Sequence, residues 1–208
     1  MWPPQALEFL RDLEDNNDRD WFKANRARYD DHLRAPGQAL AESLADLGGV
    51  RFFRPYNDAR FHHRPPIKEQ LGIAIGYGGA GGYYVELSLD GLMLGAGLHH
   101  PATDQLERFR AAIDDGRRAG AFERAVRTAE KAGMTLVDPV LKRAPRGYRA
   151  DHPRVERLRC KSLTLYARHP LEPWLHDERC RQRVRDQLDA TRTFVGWLQT
   201  HVGPPISR

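Results

Sequence analysis

The stretch LGIAIGYGGAGGYYVELSLDGLMLGAGL, residues 71–98, decides the fold. Its apolar runs are short, and glycines or Asp90-Gly91 interrupt them before a helix gains several turns. Over Tyr83–Leu89 the residues alternate. Val85, Leu87 and Leu89 share one side, and Tyr84, Glu86 and Ser88 share the other. Asp90-Gly91 is a hairpin signal. The spacing predicts strands over 71–77, 83–89 and 92–98. Two shorter candidates, 50–54 and 59–63, flank the turn Pro55-Tyr56-Asn57-Asp58.

On both sides of this meander the period becomes helical. Leu7, Leu10 and Leu13 place a short helix over 5–14, and Asn16-Asn17-Asp18 supplies cap chemistry. A long helix is expected from 18 to 47, kinked or split at Pro36-Gly37 and ended by Gly48-Gly49. Further helices are expected over 103–114, with Thr103 as N-cap, and over 118–132. An irregular basic stretch follows at 138–154, then a strand over 159–167. Val184, Leu188, Val195, Leu198 and Val202 mark an amphipathic helix over 177–202. Helices, then strands, then helices predict a single α+β domain over 1–208. It comprises N-terminal helices 5–47, a strand-rich middle 50–98 and a helical, basic part 103–202. The expected architecture is a central, largely antiparallel sheet with helices packed mainly on one face and long terminal helices.

The 208 residues include 33 Lys+Arg and 28 Asp+Glu, a net charge of +5. Mean hydropathy is -0.67, and no run approaches the ~20 apolar residues of a membrane span. The start, Met1-Trp2-Pro3-Pro4, lacks the basic and apolar regions of a secretory signal. Two cysteines make no disulfide framework and have no zinc spacing. A cytoplasmic protein without membrane contact is expected. The charge is uneven: residues 1–100 carry a net -3, and residues 101–208 carry +8. Within 142–168 nine basic residues face two acidic ones, a pattern that attracts anions.

Several motifs, in order, carry a resemblance. They are Trp21-Phe22-x-x-Asn25-x-x-x-Tyr29, Asp58-x-Arg60-Phe61 with Pro66-x-Lys68, Gly82-Tyr83-Tyr84, and Gly95-x-Gly97-Leu98 before His100-Pro101. Lys142-x-x-Pro145-x-Gly147-Tyr148, Asp151-His152-Pro153 and Lys161-Ser162-Leu163 complete the set. From about Leu7 to Val202 the chain resembles a widespread, mainly bacterial family of conserved hypothetical proteins, catalogued as a domain of unknown function. The resemblance implies one α+β domain and brings no established activity, cofactor or catalytic residue. It departs at Asn57, where relatives often have Arg, near His63-Arg64, where they have Asp-Lys, and at Ile67, where they have Tyr.

Gly76-x-Gly78-x-x-Gly81 formally matches a phosphate-binding loop. That mechanism needs a helix just after the glycines, and Tyr83–Leu87 reads as a strand, so a hairpin tip is expected. Trp21, Asn25 and Tyr29 share a helix face and read as core, with Asn25 bracing a neighbouring loop. His62-His63 and His99-His100 are adjacent in strand-like sequence and point apart, so no metal site is expected. Cys160 reads as a buried, inert thiol.

Polar and basic residues at the motif positions suggest a basic site on an open sheet face. Arg60, Lys68, Tyr84, Glu86, Lys142, Arg146, Tyr148, His152 and Lys161 are its candidate residues. Arginine and lysine suit phosphate or carboxylate. The expected partner is a small anionic ligand, without an assigned cofactor or catalytic residue. The alternatives are nucleic-acid binding through the basic 142–168 surface and a non-catalytic interaction domain.

Overall fold

The structure is a computed structural model that describes residues 1–58 and 65–206. The expected strand over 59–63, and Arg60 with it, lies outside the described residues. The chain is α+β, with a six-stranded antiparallel sheet in the order β1-β2-β3-β4-β6-β5. The strands are β1 (Val50–Phe52), β2 (Gln70–Ile75), β3 (Gly82–Ser88), β4 (Gly91–Leu98), β5 (Thr135–Leu136) and β6 (Leu163–His169). Residues group into two compact units. One comprises Met1–Ile75, Tyr84–Leu94 and Arg168–Arg185; the other comprises Gly76–Tyr83, Gly95–Ala167 and Asp186–Arg208.

In the first unit, α1 (Pro4–Asp15) is followed by α2 (Arg19–Ala24), α3 (Arg26–Arg28) and α4 (Ala35–Ser43). Asp18 caps α2 by accepting the N–H groups of Asp20 and Trp21, both at 2.8 Å. Such a cap contributes about 1 kcal/mol. The expected long helix is broken at Asn25 and again below Pro36. Proline has no N–H for the carbonyl four residues back, and its ring crowds that turn. The chain absorbs it in a wider π turn, Tyr29–Arg34, where the Ala35 N–H reaches the Asp30 carbonyl. Pro36 then falls in the first turn of α4, which needs no donor there. Phe9, Phe22 and Tyr29 pack their rings within 6.5 Å of one another and are buried. The α4 helix lies on β2, with Gly37 over Leu71 and Ile73. In β1, Phe52 pairs opposite Ile73, so this apolar side is continuous across both strands.

The second unit is built on α5 (Thr103–Asp114), α6 (Gly116–Lys131) and α9 (Arg192–His201). Their buried Phe109, Phe122, Phe194 and Trp197 form one aromatic cluster. The Trp197 indole donates to the Arg118 carbonyl at 3.0 Å, which satisfies its polar edge. Ala102, not Thr103, is the N-cap of α5, and its N–H is accepted by Gln105 Oε1 at 3.0 Å. A short α7 (Val155–Leu158) precedes β6. The expected C-terminal helix is divided at Thr191 into α8 (Glu178–Ala190) and α9. Gly76–Gly81 is a turn between β2 and β3, with positive φ at Gly76, Gly79 and Gly81. Among the described residues no helix is long and apolar enough to cross a membrane.

Gly91 tests the hairpin reading. Its φ is +121°, and a Cβ there would lie 2.1 Å from the His169 carbonyl oxygen. Gly91→Ala is expected to cost at least about 2 kcal/mol in urea unfolding, through backbone strain and collision. Gly49, whose added Cβ meets nothing within 4 Å, is the control. Gly49→Ala should stay within about 0.5 kcal/mol; equal effects would contradict the assignment.

Candidate functional site

The site begins with two paired segments in the first unit. Pro55–Asn57 and Pro66–Lys68 run side by side. The Lys68 N–H donates to the Pro55 carbonyl at 2.7 Å, and the Asn57 N–H donates to Pro66 at 2.9 Å. Tyr56 and Ile67 form an antiparallel bridge. Asn17, in the turn before α2, locks the returning limb. Its Nδ2 donates to the Ile67 carbonyl (3.0 Å) and Glu69 Oε1 (2.7 Å), and its Oδ1 accepts the Ile67 N–H (3.0 Å). Ile67 is buried, so this departure from the family motif is a core residue. Asn25, expected to brace a loop, instead serves its own helix, donating to the Trp21 carbonyl and accepting from Arg28.

This pairing sets residues 54–58 opposite α2. Between them lies an open cleft of about 950 Å³, lined by Arg19, Asp20, Lys23, Arg54, Tyr56, Asn57 and Asp58. Arg19 and Lys23 form no ion pair among the described residues. Arg54 stands 3.9 Å from Asp58, a loose and solvated contact. Lys68 Nζ donates to the Arg54 carbonyl at 2.8 Å and lies 5.7 Å from the centre of the Phe53 ring. Burial, and then the neighbouring Arg54 charge, hold the Lys68 ammonium below the usual lysine pKa. Two cations are thus kept side by side.

Behind the loop, Phe53 follows β1 and its N–H donates to the Gly72 carbonyl at 3.0 Å. The Phe53 and Tyr84 rings meet edge to face at 5.8 Å. A Cβ on Gly72 would come within 2.6 Å of the Tyr84 hydroxyl, so glycine makes the slot in which that hydroxyl lies. Glu86 Oε2 accepts from the Tyr84 hydroxyl (2.7 Å) and Gln70 Nε2 (2.6 Å). The expected open sheet face is therefore corrected here. Glu86 and Ser88 are buried and Tyr84 is half-buried. The physical reason is that a buried carboxylate needs donors, and Tyr84 and Gln70 close over it to supply them.

The sequence candidates divide accordingly. In the first unit Tyr84 bonds Glu86, and Lys68 meets Tyr84 only through the Phe53 ring between them; none of the three lines the cleft. Arg60 lies outside the described residues. In the second unit Tyr148 and His152 meet edge to face at 6.2 Å. His152 is fully engaged: Nδ1 accepts the Arg154 N–H at 3.1 Å, which leaves the Nε2 hydrogen for Asp114 Oδ1 at 3.0 Å. Burial raises the Tyr148 phenol pKa. Lys142, Arg146 and Lys161 are exposed and form no ion pair among the described residues. Most other cations of the basic segment have partners. Arg149 clasps Asp151, and Arg157 takes Glu123 with both arms. Arg154 caps the last carbonyls of α5, and Arg159 reaches the Leu141 carbonyl. Burial pushes the Cys160 thiol up, and that of Cys180 to about 12, which leaves both as unreactive core groups. Among the described residues no His, Cys, Asp or Glu cluster suits a metal ion.

Sequence reasoning missed Arg19, Lys23, Arg54, Tyr56 and Asn17. Only the position of Tyr56 and Asn57 beside the Asp58 motif pointed toward the cleft. Fold and site define an α+β protein with a cation-rich cleft walled by a helix and the segment 54–58. The chain belongs to the family of conserved hypothetical proteins (DUF2461), whose model matches residues 5–197. No curated protein and no solved structure matches it.

The Tyr84 slot gives a direct test. Tyr84→Phe removes a hydrogen bond to a carboxylate and should cost about 1–2 kcal/mol. Gly72→Ala should destabilise the wild type and be better tolerated beside Tyr84→Phe, where no hydroxyl blocks the new methyl. A double-mutant cycle by urea unfolding reads this coupling. Strict additivity would contradict the geometry.

Proposed function

We propose that the protein binds a small anionic ligand, phosphate- or carboxylate-bearing, in the cleft between α2 and the 54–58 loop. The observation that carries this reading is the placement of cations. Arg54 lines the cleft with Lys68 held beside it, and Arg19 and Lys23 stand on the opposing helix and form no ion pair among the described residues. Like charges kept together cost energy, and a bound anion offsets it. Arginine adds paired donors that match phosphate or carboxylate oxygens. The ligand is a small molecule of the bacterial cytoplasm in this reading, and two buried thiols outside any disulfide fit that compartment. The nucleic-acid reading of 142–168 is weaker, because Arg154, Arg157 and Arg159 there are engaged in structure.

Pyrophosphate at low ionic strength is the probe. It should raise the melting temperature of the wild-type protein in a concentration-dependent way. Arg54→Gln and Lys23→Gln should each weaken pyrophosphate about tenfold by calorimetry, equivalent to about 1.4 kcal/mol. Lys142→Gln and Arg146→Gln should bind as wild type does. No shift with pyrophosphate, or a loss confined to the Lys142 and Arg146 variants, would overturn the proposal.

A further inference from the structure

We infer that the ligand of this cleft is a nucleotide, its base stacked on Tyr56 and its phosphate held by the cations. The inference rests on the anion reading above and names the ligand class. Three features of the cleft lie beyond what a bare anion needs. The first is size. About 950 Å³ is the upper range of small-molecule sites and far exceeds one phosphate group. The second is Tyr56, an aromatic wall that is 39% exposed. Its ring is held rather than loose: the backbone bridges Ile67, and buried Phe22 packs against it at 5.7 Å and 78°. A fixed, exposed ring beside cations is what a base needs for stacking, and stacking tolerates any base. The third is the presence of carboxylates. Asp20 and Asp58 line the same cleft and repel a bare anion. Carboxylates accept from hydroxyl donors, which a ribose supplies. Phosphate, sugar hydroxyls and an aromatic base each find a counterpart among these seven residues.

Inorganic phosphate, ribose 5-phosphate and the four ribonucleoside 5′-monophosphates, titrated calorimetrically into the full chain, separate the two levels of the reading. The tightest nucleotide is expected to bind at least about tenfold more strongly than ribose 5-phosphate. That ratio should fall close to one in Tyr56→Leu, which keeps an apolar side chain against Phe22, and persist in Tyr56→Phe. A melting curve for each variant establishes that it is folded. If Tyr56→Leu does not fold, Tyr56→Gln takes its place, and its ratio is read in the same way. Equal binding of nucleotide and ribose 5-phosphate would overturn the nucleotide inference and leave the anion reading standing. So would a ratio that survives loss of the ring. Failure of all the phosphates to bind would remove both. A trithymidylate arm identifies the source: binding tighter than the monophosphate indicates a nucleic-acid strand, and weaker binding indicates a free nucleotide.

Discussion

The hold of Asn17 on the paired limbs 55–57 and 66–68 is the constraint on which the site depends. One side-chain amide uses both its donor and its acceptor on the Ile67 backbone, and adds Glu69. Buried Ile67 ties the loop to the core, so its position is set by packing as well as hydrogen bonding. Once the limbs are paired through Tyr56 and Ile67, Arg54, Tyr56, Asn57 and Asp58 must face α2. The Asp18 cap starts α2 where Arg19 and Lys23 reach the same space. The turn at residues 16–18 thus directs both walls of the cleft.

Charge in this protein separates into cations engaged in holding the fold and cations left available. Arg154 covers the negative end of α5, where a guanidinium is favourable, and Arg157 is fixed bidentately on Glu123. Such residues are poorly placed to meet a ligand, because moving them uncovers buried acceptors. Arg19, Lys23, Arg54 and Lys68 differ. Lys68 takes one backbone carbonyl and otherwise meets another cation and an aromatic ring. Glu86 gives the opposite case, a buried carboxylate whose donors are supplied internally by Tyr84 and Gln70.

The sheet and most helices were legible because period and punctuation agree. Alternation over 83–89, the Asp90-Gly91 turn and the glycine-rich tip at 76–81 all survive in the structure. The π turn below Pro36 was not legible, since a kink, a break and a widened turn share one sequence signature. Thr191 carries no helix-breaking signal, and the division of the last helix there escaped for that reason. Alternation also placed Tyr84 and Glu86 on one side correctly but gave no sign that this side is covered. Covering depends on Gly72 and Phe53, which lie in other strands or beyond them. For the candidate site, charge density drew attention to 142–168. A count cannot show which arginines find carbonyls and carboxylates after folding. Arg19 and Lys23 carry the better argument because they form no ion pair among the described residues.

The central claim is that the cleft beside α2 is where this protein accepts negative charge. Crystals soaked in tungstate, a strongly scattering tetrahedral anion, test it most directly through the anomalous difference map. A peak bounded by Arg19, Lys23 and Arg54 is the result the account predicts. A vacant cleft with tungstate bound instead at Lys142, Arg146 or Lys161 would contradict it.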